Sequence, residues 1–372
     1  MPKNSWQLMH PTTWMWFDVI RKEFGRRLPS HFYVTRREQG EATVTPDLVF
    51  NIFVSFDEKG APLYSFSSGA VIAFYDVCQA LTCDDGFWPH VRFDGEWFHN
   101  FQPHPKHDFV DYSYFADRPF ETDGVALFIP RVTIKNARSL IGDALYNMIV
   151  SIVAQHEQAH VLHGHLHLLG EAGFASYSEC GSAAGAGVPF DFHAAEFDAD
   201  LLPSRMYARA FEHGMFERMA NDVGLGLTPD IPTYLRLASC AYFILFCLLY
   251  KADGGADRPG PTHPSPSARI LNHFLTLDAA LKDAGLPPFA GMHDLHAQLA
   301  DDFGLIAATL AMPASVPRSI DLADDSTGMR ECLAIRARLD ALSRVLEEPR
   351  KKATALTGGL STGTPVRWIK TD

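Results

Sequence analysis

Cysteine is scarce and scattered. The six residues Cys78, Cys83, Cys180, Cys240, Cys247 and Cys332 include no CxxC pair, which excludes a disulfide framework and a zinc knuckle and fits a reducing compartment. The order of a secretory leader is also missing. Residues 1–30 begin with tryptophans, and Arg21, Lys22, Arg26 and Arg27 follow, the reverse of a basic leader before an apolar run. This segment reads as a packed aromatic helix, and the expected location is cytoplasmic. Basic charge is in deficit: 32 Lys and Arg stand against 44 Asp and Glu, a net charge of −12. That argues against nucleic acid as an obligate partner. No uncharged apolar run reaches the roughly 20 residues that span a bilayer. Leu237 to Tyr250 comes nearest, between Arg236 and Lys251, and reads as a buried core helix, so membrane insertion is disfavoured. Internal repeats, a phosphate loop and long blocks of one charge are all lacking.

What the chain does have is His156-Glu157-Gln158-Ala159-His160. Residues i and i+4 lie about 40° apart on a helix, so both imidazoles can reach one ion. Glu157 is about 100° round from His156 and can address a water on that ion. Two neutral imidazoles and a general base are what a zinc hydrolase requires. The surroundings predict a helix. Between Ala137 and Leu169 there is no proline, and Leu140, Ile141, Ala144, Leu145, Met148, Ile149, Ile152 and Val153 recur at helical spacing. Continuing that helix puts His163 and His167 on the motif's face, within about 20°, as the solvated rim of a cleft or as ligands for more than one ion.

A third ligand must complete the site. The HExxHxxGxxH pattern fails, because His163 stands where glycine is needed and Leu166 where the third histidine would be. Downstream, Glu196 and Asp200 are i and i+4 and share one helix face, with His193 one turn earlier. Glu196 can complete a His₂Glu set, His193 is the competing ligand, and Asp200 can orient a ligand histidine through its other ring nitrogen. Further on, Pro259, Pro261, Pro264 and Pro266 disfavour helix. Ser265 or Ser267 can cap the helix that follows, which delivers His263 and Arg269 to a fixed place. Arg269 can pair with a carboxylate such as Asp200, and His263 can help polarise a scissile carbonyl. An oxyanion donor is also needed, with Tyr207, Tyr177, His193 and His263 as candidates.

These segments resemble a glutamate-type zinc metallopeptidase, a gluzincin. His160 to His165 resembles the histidine-containing extension of HExxH, and Glu196 to Asp200 resembles ExxxD on the next helix. Thr262-His263-Pro264-Ser265-Pro266-Ser267-Ala268-Arg269-Ile270 is similar to the THPxxxxRI stretch of the CAAX prenyl endopeptidases and their HtpX-like relatives. The likeness covers roughly residues 140 to 275. The Lit-type phage-exclusion peptidases, soluble HExxH proteins with an intracellular target, are a further relative to consider. The resemblance implies a zinc endopeptidase with Zn²⁺ held by His156, His160 and Glu196. It favours Glu196 over His193, makes Glu157 the general base, and gives His263 a catalytic role with Asp200 and Arg269 in support. The implied partner is a protein or peptide substrate. The alternative is a catalytically silent zinc-binding scaffold used for interaction or sensing.

The expected fold is α+β: a mixed N-terminal region with a β-hairpin, then a mainly helical zincin-like core. Asp47 to Asp57 and Leu63 to Phe74 read as the hairpin strands, and Val125 to Ile134 as another strand. Gly86 to Arg118, with His99, His104 and His107, reads as a surface loop. Residues 1–136 then shape substrate access or bind a partner, 137–350 form the peptidase core, and 351–372 form a flexible tail. Gly170 to Gly187 reads as a mobile connection beside the cleft. Residues 266–285 and 329–348 read as helices.

Overall fold

The computed structural model describes residues 41–56, 62–89, 109–112, 137–171, 176–178, 191–212, 230–252, 263–320 and 326–356, apart from a few single positions. The Val125–Ile134 strand, the histidines at 99, 104 and 107 and the N-terminal aromatic segment lie outside them. So does the Gly170–Gly187 connection, apart from Gly170, Glu171 and residues 176–178.

The chain is α+β and mainly helical. Strand β1 (Glu41–Thr45) runs parallel to β3 (Pro62–Ser67), which is antiparallel to β2 (Ile52–Phe56). A short strand, β4 (Ser176–Ser178), adds to the other side of β2, giving the order β1-β3-β2-β4. Alternation on β2 explains its placement: Ile52 and Val54 are buried, whereas Phe53 and Ser55 are half-buried. Pro62 begins β3, a position where a missing N–H is tolerated.

The hairpin is present, but its second strand is shorter than expected. It ends at Ser67 and passes directly into helix α1 (Ser68–Leu81). The Ser67 hydroxyl accepts from the N–H of Ala70 at 2.9 Å and from that of Asn51 at 2.9 Å. One side chain thus caps the helix and anchors the neighbouring strand. The apolar run from Leu63 to Phe74 carries no mark of this change beyond a Ser-Ser-Gly.

Helix α2 (Ala137–Leu162) carries the HEQAH motif. The predicted helix through Leu169 is interrupted: His163 and Gly164 form a turn, and α3 (His165–Glu171) starts in a new direction. Gly164 has φ +84°, a left-handed conformation that glycine adopts without the steric cost of a Cβ. Extrapolating the α2 face to His163 and His167 therefore fails. A Cβ at Gly164 would lie 2.7 Å from backbone atoms of Pro349 and Arg350. Gly164→Ala combines a disfavoured φ with a backbone clash and should lower stability by at least about 2 kcal/mol, as measured by urea denaturation.

Helix α4 (Phe192–Glu212) lies against α2. Asp191 caps its start, its carboxylate accepting from the N–H of Ala194 at 3.1 Å. Helix α5 (Ile231–Ala252) is 22 residues long, longer than its uncharged run. Asp230 caps it through the N–H of Thr233 at 2.8 Å, and Pro232 sits in the first turn, where no N–H is required. By length and composition α5 could cross a membrane, yet 83% of its apolar window is buried inside the protein. It packs between α2, α6 (Pro266–Asp283) and α7 (His293–Thr309). The short α8 (Ser315–Arg318) leads towards α9 (Thr327–Val345), which packs on α4 and α6. Finally α10 (Glu347–Leu356) returns to α2 and α3. Lys351 to Leu356 belongs to this helix.

One buried apolar cluster runs from Phe50 to Leu346 and takes in the hairpin, α1, α2 and α5. Position 136 thus marks no break in the core among the described residues. A buried ion pair staples α5 to α7: Arg236 donates to both carboxylate oxygens of Asp302, at 2.6 and 2.8 Å, with its guanidinium 4.4 Å over the Trp88 ring. The cysteines Cys78, Cys240, Cys247 and Cys332 are free and buried.

Candidate metal centre

Helices α2 and α4 bring His156, His160 and Glu196 to one point, each almost fully inaccessible to solvent. The Nε2 atoms of the two histidines are 3.0 Å apart. His156 Nε2 lies 3.4 Å from Glu196 Oε2, and His160 Nε2 lies 3.5 Å from Glu196 Oε1. Three tetrahedral ligands at the usual 2.0–2.1 Å from zinc would be about 3.3 Å apart. The His–His distance and the two His–carboxylate distances, each to a different oxygen of Glu196, lie near that value, so these residues could hold a metal ion. His193, one turn before Glu196 on α4, does not belong to the group.

The supporting groups lie on α4 and α6. His156 Nδ1 stands 2.9 Å from Asp200 Oδ1. Arg269 grips Asp200 with both arms, Nε donating to Oδ2 at 2.9 Å and Nη2 to Oδ1 at 2.7 Å. Its Nη1 is 3.2 Å from Glu196 Oε2, and its guanidinium lies 4.3 Å over the Phe246 ring. Ser265 is the residue that caps α6, accepting from the N–H of Ala268 at 3.2 Å, with Pro266 in the first turn. That capped start places Arg269 in the second turn, facing α4. His263, just before the cap and buried, has Nε2 3.7 Å from Glu196 Oε2.

Glu157 is fully buried. Tyr64 on β3 sits near it: burial pushes the Tyr64 phenol up, and the charge of Glu157 adds to the rise. The hairpin therefore flanks Glu157, a neighbour that sequence reasoning missed because strand periodicity marks Tyr64 only as an inward residue. Among the oxyanion candidates, the Tyr207 hydroxyl donates to the Met148 carbonyl at 3.1 Å, about two turns upstream of His156. Tyr177 lies in β4, paired with Val54.

A second cluster adjoins the first. His163, His165 and Asp198 meet at a point, with His163 Nδ1 and His165 Nε2 each 3.0 Å from Asp198 Oδ2. His165 Nδ1 lies 3.0 Å from His160 Nδ1. Burial pushes the His165 imidazole down to about 3, against the opposing pull of Asp198, so the ring is neutral. Burial alone would raise the Asp198 carboxyl, but His163 and His165 outweigh it and hold it well below the usual range. Arg350 of α10 also donates to Asp198 Oδ2, at 2.9 Å. Sequence reasoning missed Asp198; a histidine pair at 163 and 165 close to an acidic triplet was the available signal.

No family model, curated protein or solved structure matches this chain. The metal reading therefore rests on donor geometry and on charge. Glu157, Glu196, Asp198 and Asp200 are buried carboxylates, and Arg269 and Arg350 are among the groups paired with them. Burying carboxylates is costly, and a divalent cation at the His156–His160–Glu196 triangle would offset part of that cost.

A buried histidine on the far side of Asp200 supplies a pH test. His273 stacks on Tyr242 at 3.9 Å, its Nδ1 2.9 Å from the Ser204 hydroxyl, and burial pushes it down to about 3. Unfolded, it titrates near 6.5. Its contribution is thus fully present above about pH 6.5 and is lost as pH falls towards 3, because only the unfolded state takes up the proton. Stability of the metal-free protein should decline on acidification through that window, by up to about 1.4 kcal/mol per pH unit for each such histidine. His273→Leu should flatten the slope by one proton, as read from urea midpoints.

Proposed function

We propose that this chain is a zinc-dependent endopeptidase of the glutamate type, acting in the cytoplasm on a protein or peptide substrate. The observation that carries the reading is the buried triangle of His156 Nε2, His160 Nε2 and Glu196, with edges of 3.0 to 3.5 Å, beside a fully buried Glu157. Two neutral imidazoles and one carboxylate are the donor set of hydrolytic zinc sites with an open position. Zinc bound there would supply Lewis acidity and bring the pKa of a water towards about 7.

The chain's own residues do the rest. Glu157 takes a proton from the attacking water as its oxygen bonds to the amide carbon. As the carbon–nitrogen bond breaks, Glu157 returns that proton to the leaving nitrogen and is again a carboxylate. His263, 3.7 Å from Glu196 Oε2, is positioned to donate to the developing oxyanion. Asp200 and Arg269 hold His156 and Glu196 in place, and it is the neutral imidazole that ligates a metal.

The test is metal content together with cleavage of a broad peptide library. One zinc per chain and cleavage abolished by a chelator and restored by zinc are expected. Zinc binding without cleavage of any library member, by the parent or by Glu157→Gln, would favour a silent zinc scaffold.

A further inference from the structure

The cluster of His163, His165 and Asp198 has the donor types of a second metal site, yet a guanidinium already meets its carboxylate. Asp198 Oδ2 accepts from Arg350 Nη2 at 2.9 Å, and the same oxygen lies 3.0 Å from both His163 Nδ1 and His165 Nε2. A guanidinium thus supplies the cation that a second ion would bring.

The ring atoms point to a different role. If His160 Nε2 faces a metal at the triangle, its proton sits on Nδ1. That N–H can donate only to an acceptor, and His165 Nδ1 is 3.0 Å away. His165 must then carry its own proton on Nε2, which donates to Asp198 Oδ2. The tautomers are fixed in sequence from the ligand outward. The other ligand has a comparable neighbour, His156 Nδ1 lying 2.9 Å from Asp200 Oδ1, which Arg269 grips. Each ligand histidine therefore ends on an α4 carboxylate that an arginine neutralises, directly for His156 and through one imidazole for His160. Outer partners of this kind set ring orientation and ligand basicity.

We propose that His165, Asp198 and Arg350 form a positioning chain for His160, which makes the C-terminal helix α10 a working part of the metal centre. This rests on the reading that His156, His160 and Glu196 bind a metal. Arg350 suits the role of clamp: it also donates from Nε to the carbonyl of His163 at 3.2 Å and from Nη1 to the Ser343 hydroxyl at 2.9 Å. It thereby ties α10 to the turn at Gly164 that turns His165 inward.

The experiment measures zinc affinity of the full-length chain by competition with a chromophoric chelator. The parent is compared with Arg350→Met, Arg350→Lys, Asp198→Asn and His165→Phe. Unfolding of each metal-free protein is the control for a merely structural role, and the visible spectrum of the cobalt(II) forms reports ligand geometry. One zinc per parent chain is expected. Affinity should fall about 10- to 100-fold in Asp198→Asn and His165→Phe, and about tenfold in Arg350→Met, with an altered cobalt band and partial recovery in Arg350→Lys. Arg350 is partly exposed, so its variants keep the test open if Asp198→Asn does not fold. Lower metal-free stability with zinc affinity and cobalt spectrum unchanged in the Arg350 variants would overturn the positioning role. Two zinc ions per parent chain, one lost on removing Asp198, would replace it with a second metal site. A parent that binds no zinc would instead remove the metal reading beneath both.

Discussion

Glu157→Gln should cut peptide hydrolysis by about 10²- to 10⁴-fold, the usual contribution of a general base, with zinc content unchanged. Glutamine keeps the shape of the side chain but cannot take a proton. Glu157 is not one of the three groups that meet at the metal triangle, so ligation should survive. Its burial is complete, and the near-isosteric amide keeps the packing around it. The variant should therefore unfold no more easily than the parent, which separates lost chemistry from lost structure. Parallel assays of turnover, bound zinc and urea midpoint check this. Equal turnover in parent and variant would assign proton transfer to another group.

The largest effect on stability should come from Arg269→Met. Arg269 is almost fully buried, pairs bidentately with Asp200 and stands 3.2 Å from Glu196. Methionine retains apolar contact with Phe246 but leaves two buried carboxylates facing each other. Removing one partner of a buried pair typically costs about 3–5 kcal/mol, and that range is expected for the metal-free protein. Zinc should reduce the loss, because the ion compensates Glu196 directly. Arg269→Lys should fall between the two, since an ammonium keeps the charge but not the fork. Denaturant titrations with and without zinc read all three. A loss of less than about 1 kcal/mol would mean that solvent reaches these carboxylates.

Much of this centre is legible along the chain, for a physical reason. His156 and His160 are one helical turn apart, and so are Glu196 and Asp200, so local periodicity alone places each pair on a face. Arg269 follows a proline-rich loop and a serine cap, which are local signals too. Asp198 is a different case. On an ideal helix it lies about 200° round from Glu196, so periodicity assigns it to the opposite face. It joins the site because α2 breaks at Gly164 and α3 turns back towards α4, a change set by packing against Pro349 and Arg350. No local pattern reports a contact between residues 164 and 350. The same holds for Ser67, where the change from strand to helix depends on a hydroxyl bonded to Asn51 across the hairpin. The 14-residue apolar run is readable as buried, whereas the full length of α5 follows from the Asp230 cap.

The most direct test is a zinc-edge X-ray absorption spectrum of the zinc-loaded full-length protein, paired with His160→Ala and Glu196→Ala. A single zinc bound by two imidazole nitrogens and carboxylate or water oxygen at about 2.0–2.1 Å, with binding lost or greatly weakened in both variants, is the predicted result. A spectrum with three imidazoles, sulfur ligands, or unchanged zinc binding in Glu196→Ala would contradict the His156–His160–Glu196 centre.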